Sequence, residues 1–278
     1  MLLIVTDDQP FLVDTVSMDI TRGGWSIRAL FHPQYQAVRD ADGALTAISD
    51  DDPRAIAESW ICVEVFPPLG RAASELADSL TGAVGSGLAA VRAAVDDWHT
   101  MRHRLAETID LINDNPQPVS PHGVREVTDL LQWLSDDNFV LLGYRECRYT
   151  EADGYQPVPG TGLGILRGAD ATGEFEAVPP RDDHGLLVLT KDSRRSPVHR
   201  PAYLDYVGVR LYDAAGRLTG ERRFLGLFAA SAYGESVWEI PLLARKAHKL
   251  LDLSGFAPHS HGGSAIRQVI DTYPRDEL

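Results

Sequence analysis

The stretch from Leu2 to Phe66 limits the fold more than any other part of the chain. It opens on a short apolar strand, Leu2-Leu3-Ile4-Val5-Thr6, and turns at Asp7-Asp8-Gln9-Pro10. A helix follows, because Val13, Val16 and Ile20 recur at helical spacing and make one apolar stripe. Asp8 or Gln9 can cap its free amides, and Pro10 suits a first turn that needs no donor. Gly23-Gly24 supplies a left-handed exit. Between Trp25 and Arg39 the residues Trp25, Ile27, Ala29 and Phe31 alternate with Ser26, Arg28 and His32, the period of a sheet with one buried face. Asp40-Ala41-Asp42-Gly43 reads as a hairpin turn. From Ser59 to Phe66, Ile61, Val63 and Val65 then alternate with Cys62 and Glu64. The order β-α-β-β begins a ferredoxin-like α+β unit. The last strand of such a unit is not legible in the sequence.

Beyond Phe66, a short helix is expected over Arg71–Leu80, interrupted by Gly82, Gly85 and Gly87. Leu88, Val91, Val95, Trp98, Met101, Leu105, Ile109 and Ile112 alternate steps of three and four, which predicts one long helix with a packed seam. A second helix starts at Ser120-Pro121, with Val119 stapling onto Val124. The two read as a helical hairpin linking two domains. Strands are expected at Phe139–Tyr149, Leu163–Arg167 and Leu186–Thr190. A hairpin joins Tyr203–Tyr212 to Arg217–Ala230 about Asp213-Ala214-Ala215-Gly216. That makes a second, mostly antiparallel domain, followed by helices over Ile240–Leu253 and Ser264–Thr272. The expected divisions are 1–83, 84–136, 137–235 and 236–278. Asp40-Ala41-x-Gly43-x-Leu45-Thr46 echoes in Asp213-Ala214-x-Gly216-x-Leu218-Thr219, which shared turn chemistry explains without a repeat.

Composition excludes several classes. A formal net charge of −14 opposes binding to nucleic acid or to an anionic membrane surface. Cys62 and Cys147 make neither a disulfide framework nor a multi-cysteine metal site. No apolar run reaches the length of a membrane span, and no basic stretch precedes the first strand as in a secretory leader. The expected location is cytoplasmic, and the closing Arg275-Asp276-Glu277-Leu278 is not a retrieval signal in that setting.

Several runs, taken together, carry a family resemblance. They are Pro10-Phe11-Leu12-Val13-Asp14-Thr15-Val16, His32-Pro33, Glu58-Ser59-Trp60, Asp97-Trp98, Asn138 to Glu146, Val198 to Tyr206, Gly220 to Phe228, and Pro274 to Leu278. In this order and spacing the chain resembles the N-terminal region of the large NAD-specific glutamate dehydrogenases. The resemblance implies an ACT-type regulatory domain first, and a second domain of PAS or GAF type or a divergent ACT unit. It implies a non-catalytic segment that docks subunits or senses a free amino acid. The full enzyme would use NAD to deaminate L-glutamate, with no cofactor in this segment. Its partners would be the rest of the polypeptide and other subunits. A stand-alone amino-acid-binding module and a purely structural assembly domain are the alternatives.

Candidate sites follow from both readings. In ACT domains effectors bind at strand-to-helix loops, which points to Asp7, Asp8, Gln9, Pro10, Gly23 and Gly24. Helix-start amides suit a carboxylate, whereas the two aspartates suit an ammonium group. Arg194, Arg195, His199 and Arg200, with Lys191, form a basic cluster fit for an anion or a partner domain, or a solvated loop balanced by Asp182, Asp183 and Asp192. Gly160-Thr161-Gly162-Leu163-Gly164 lacks the ending of a phosphate loop and reads as a turn entering a strand. His259 and His261 lack the partners of a metal site, and no catalytic signature is legible.

Overall fold

The computed structural model describes residues 1–168 and 185–272. Asp182, Asp183 and the run Pro274 to Leu278 lie outside the described residues. The chain divides into two compact units, Met1–Asp96 with Arg195–Ala202, and Asp97–Arg194 with Tyr203–Leu278.

The first unit runs β1 (Leu2–Asp7), α1 (Leu12–Arg22), β2 (Ser26–Phe31), β3 (Gln34–Arg39), β4 (Leu45–Ile48), β5 (Ile56–Phe66) and α2 (Ala73–Asp96). Its sheet has the order β1-β5-β3-β4, with β2 also paired to β5. Every pairing is antiparallel. This is the ferredoxin-like arrangement, in which the last strand of the hairpin lies between β1 and the strand that follows α1. Among the described residues no strand pairs with the outer edge of β1.

Three features differ from the periodicity. The stretch Trp25–Arg39 is two strands, broken at His32-Pro33, where proline offers no ladder donor. A bulge between Ile27 and Ala29 then reverses the alternation, so that Leu30 pairs with the buried Val63 while Phe31 pairs with Cys62 and is 64% exposed. Second, α2 runs unbroken through Gly82, Gly85 and Gly87. At Gly87 the reason is close approach, since a Cβ would lie 2.1 Å from Oδ2 of Asp19 on α1. Third, the seam from Leu88 to Ile112 is interrupted at Asp97, which separates α2 from α3 (Trp98–Asp114). Ala94 is buried there, while Val95 and Trp98 are only half-buried. Asp97 accepts from the backbone of Gly164 at 2.8 Å and pairs with Arg167 at 2.6 Å.

The second unit adds α4 (Pro121–Trp133), β6 (Phe139–Thr150), β7 (Gly154–Pro157), β8 (Leu163–Gly164), β9 (Leu187–Arg195), β10 (Tyr203–Tyr212), β11 (Leu218–Phe228), α5 (Ala230–Gly234), α6 (Leu243–Leu253) and α7 (His261–Thr272). Ser120 caps α4 as expected, accepting from Gly123 N at 3.2 Å. The sheet order is β7-β6-β11-β10-β9, with β8 on β6. Val207, Phe224 and Tyr144 stand side by side on one face, buried with Met101 and Leu105 of α3 and Leu130 and Leu131 of α4. The two hairpins share their turn chemistry. Asp40 Oδ1 accepts from the amides of Asp42 and Ala44, and Asp213 Oδ1 from those of Ala215 and Arg217.

The glycines of α2 separate by environment. Gly87→Ala should destabilise by about 1–3 kcal/mol, because the helix must move off Asp19. Gly82→Ala, with nothing within 4 Å of the new methyl, should stabilise by about 0.5–1 kcal/mol. Urea denaturation midpoints of the two variants check both signs.

Candidate functional site

The sequence-predicted loop residues lie at opposite ends of α1, which at about 1.5 Å per residue places Asp7 to Pro10 and Gly23-Gly24 a helix length apart. They form two places and not one.

At the N-terminal end neither Asp8 nor Gln9 caps the helix. The cap residue is Phe11, with φ 69° and no side-chain hydrogen bond. Asp8 is held by Gln34 Nε2 at 2.8 Å and by the Ser59 hydroxyl at 2.5 Å. His32 Nε2 in turn lies 2.8 Å from Ser59 Oγ. Phe11 packs its ring 5.1 Å from that of His199, which has φ 72°. His199 centres a tight turn in which Arg200 N donates to Val198 O at 3.0 Å. Its own amide donates to Thr15 Oγ1 at 3.0 Å, and its Nδ1 lies 2.8 Å from Asp14 Oδ2. Two non-glycine residues in left-handed conformations thus touch at one helix start, a place where backbone strain is stored.

The basic run does not share one focus. Arg194 pairs with Asp192 at 3.1 Å in the second unit, whereas Arg195, His199 and Arg200 belong to the first. Arg195 donates to Pro201 O at 2.9 Å. Gly160 to Gly164 is a turn into β8, where a Cβ on Gly162 would meet the carbonyl of Leu166 at 2.3 Å.

The C-terminal end of α1 borders a cavity of about 350 Å³, lined by Asp19, Arg22, Gly23, Trp25, Leu76 and Leu80 among others. Gly24 takes the left-handed exit at φ 79°, and Trp25 N donates back to Ile20 O at 3.1 Å. Asp19 is buried, and Arg22 Nη1 stands 3.5 Å from its Oδ1. Burial pushes the Asp19 carboxyl above its ordinary range, against the pull of Arg22. One acid and one base against apolar walls suit a small zwitterion, with its ammonium on Asp19 and its carboxylate on Arg22. Asp19, Arg22 and Trp25 are absent from the sequence-based site. Asp19 was findable, because it falls in the buried stripe of α1 with Leu12, Thr15 and Val16, where an acid is out of place.

Residues 1–80 match the glutamate dehydrogenase ACT1 domain, and residues 240–278 match glutamate dehydrogenase helical motif 1. Over 99% of its length the chain is 34% identical to the NAD-specific glutamate dehydrogenase of Halomonas elongata and 35% identical to that of Pseudomonas aeruginosa. It is 32% identical over its whole length to the NAD-specific glutamate dehydrogenase of Mycobacterium tuberculosis. The chain is similar along its whole length to one segment of the NAD-specific glutamate dehydrogenases. It spans 18% of the length of the first two relatives and 17% of the third. The ACT1 match contains β1 through β5, the start of α2, and with them Asp19, Arg22, Trp25 and Leu76. Among the described residues no helix is long and apolar enough to cross a membrane.

Asp19 sets a pH dependence whose sign can be worked out. A carboxyl raised on folding binds more protons in the folded state between its unfolded and folded values. Stability therefore falls as pH rises through that window and stays lower above it. Asp19→Asn should raise the melting temperature at neutral pH, and its advantage should shrink as the pH falls through the window. Melting curves of both proteins across the acid range check this.

Proposed function

We propose that the chain is a non-catalytic regulatory and oligomerisation segment of a large NAD-specific glutamate dehydrogenase. In this reading the full enzyme oxidatively deaminates L-glutamate to 2-oxoglutarate and ammonia, with NAD bound outside this segment. The supporting observation is the cavity pairing Asp19 with Arg22 inside the stretch that matches the ACT1 domain. A free amino acid is the effector this cavity suits, and differential affinity for two arrangements of the enzyme is how it would act. A cytoplasmic location accords with this role.

The second part of the role is contact with other subunits. Among the described residues β1 ends the sheet, and an unpaired strand edge recruits partners. Beside it, Leu3 and Val5 point outward at 67% and 49% exposure, in register with Cys62 and Trp60. A second copy of this unit is the proposed occupant of that edge.

Three measurements test the role. The purified chain should reduce no NAD with glutamate; reduction above a heat-killed control would overturn the non-catalytic reading. A panel of free amino acids should contain one that raises its melting temperature, by about 2.7 kcal/mol of stability at a hundredfold excess over Kd. Arg22→Ala should abolish that shift. Leu3→Lys in the longer enzyme should reduce the assembly seen by sedimentation, and an unchanged assembly places the contact elsewhere.

A further inference from the structure

The second unit holds a larger cavity, of about 420 Å³, within the range of roughly 300–1,000 Å³ typical of small-molecule sites. Its walls come from α4, β9, β10, β11, α5 and the residues leading into α6. The body is apolar, with Leu130, Trp133, Val207, Phe228, Ile240 and Leu242 on the wall. Thr190, Lys191, Asp205, Tyr233 and Lys246 supply its polar lining.

The charge arrangement selects the ligand. Asp205 is buried, and both its oxygens are engaged. Lys191 Nζ lies 2.6 Å from Oδ1, and Phe228 N donates to Oδ2 at 3.3 Å. An ammonium has three donors, and this pairing uses one of those on Lys191. Lys246 is exposed at the cavity's edge, on the first turn and a half of α6. Two lysines against one carboxylate give the lining a net positive charge. An anion is favoured there and a cation is not.

One wall is strained. Leu242 has φ 69° and ψ −46°, and Leu243 N donates across it to Pro241 O at 2.8 Å. This is a γ-turn with positive φ at a bulky residue, a rare and costly conformation. It sits where the helical motif begins, at residues 240–278, and its side chain faces the cavity.

We propose that this cavity binds a small carboxylic acid with an apolar body, the carboxylate held by Lys246 and Lys191 and the body lying between Trp133, Phe228 and Leu242. Because Ile240 to Leu243 and Lys246 form part of the wall, occupancy also sets the seating of the turn that opens the helical motif. That last clause rests on the regulatory reading above, whereas the binding site does not.

The test is calorimetric titration of the chain with isocaproate, phenylpropionate, L-leucine and the neutral amide isocaproamide, with tryptophan fluorescence as a second readout. Saturable binding of the acids is expected, with the amide weaker by roughly tenfold, the loss of a hydrogen bond to a charged group. Lys246→Ala should weaken the acids by a similar roughly tenfold factor. Trp133→Phe should remove the fluorescence change. Leu189→Trp, at an exposed position of the lining, should abolish binding by filling the space. Lys191→Met would remove the cationic partner of the buried Asp205, whereas Lys246 is exposed and its loss does not threaten folding. L-Leucine binding as well as isocaproate assigns the site to amino acids, and weaker binding assigns it to acids lacking the amine; both support the proposal. No saturable binding of any acid overturns it. So does amide binding equal to that of the acids, or binding indifferent to both Lys246→Ala and Leu189→Trp. Failure of the NAD or subunit experiments above leaves this outcome unaffected, so the two readings fail separately.

Discussion

Strand β5 is the constraint on which the first unit depends. It is the shared partner of β1, β2 and β3, so its alternation fixes theirs. Ile61 and Val63 are buried, which turns Ile4, Leu2 and Leu30 inward through direct pairing. Cys62 points the other way, and with it Leu3 and Phe31. At the start of the strand Glu58 is buried beneath Arg39, whose Nε and Nη2 bond it at 2.5 and 2.9 Å, while Trp60 Nε1 adds a third bond at 2.9 Å. The Arg39 bonds hold the Glu58 carboxyl below its ordinary range. A slip of one residue would expose Ile61 and Val63 and break that cluster, so register and ion pairing reinforce each other.

Much of this was legible because the period of a half-buried sheet is short and local. The strand β1, the stripe of α1, the Asp-Gly hairpins and the capped start of α4 each follow from a few adjacent residues. What failed to read out was set by distant contacts. The bulge at Arg28 needs β5 to define it, and without it Phe31 is assigned inward. Glycine in α2 looks like a helix breaker until Asp19 is seen against Gly87. Asp97 interrupts an apolar seam that continues in the sequence, because its bonds to Gly164 and Arg167 come from far along the chain. The candidate site divided in the same way. Gly23 borders the cavity and was visible as a helix exit, while Asp19 and Arg22 were not among the residues singled out.

The second unit adds a cost that its fold must meet. The face of its sheet opposite Val207, Phe224 and Tyr144 carries Arg145, Arg210, Glu221 and Arg223, all buried. Arg223 bonds Glu221 at 2.7 Å and lies over the rings of Tyr155 and Tyr206, at 5.0 and 5.8 Å. The Tyr206 hydroxyl also bonds Glu221. Buried ions add little net stability even when paired, yet removing one member is expensive because the others are left in low dielectric. Such a network specifies one arrangement of β6, β10 and β11 more strongly than it stabilises it.

The make-up of the second unit's cavity bears on the proposed regulation. A ligand shifts an equilibrium only by the difference between its affinities for the two states. A ligand enclosed wholly by the sheet would meet the same walls in both states and shift nothing, however tightly it bound. A cavity with one wall on β10 and β11 and another on the turn at Leu242 does not have that limitation. The turn is strained in the arrangement seen, so an alternative seating that relaxes Leu242 has a conformational gain available to it. Such relaxation is worth on the order of 1–3 kcal/mol, the same range as the coupling energies of allosteric proteins, typically about 1–3 kcal/mol. The strain at Leu242 is therefore of the size needed for the proposed ligand to bias that turn toward or away from a relaxed seating.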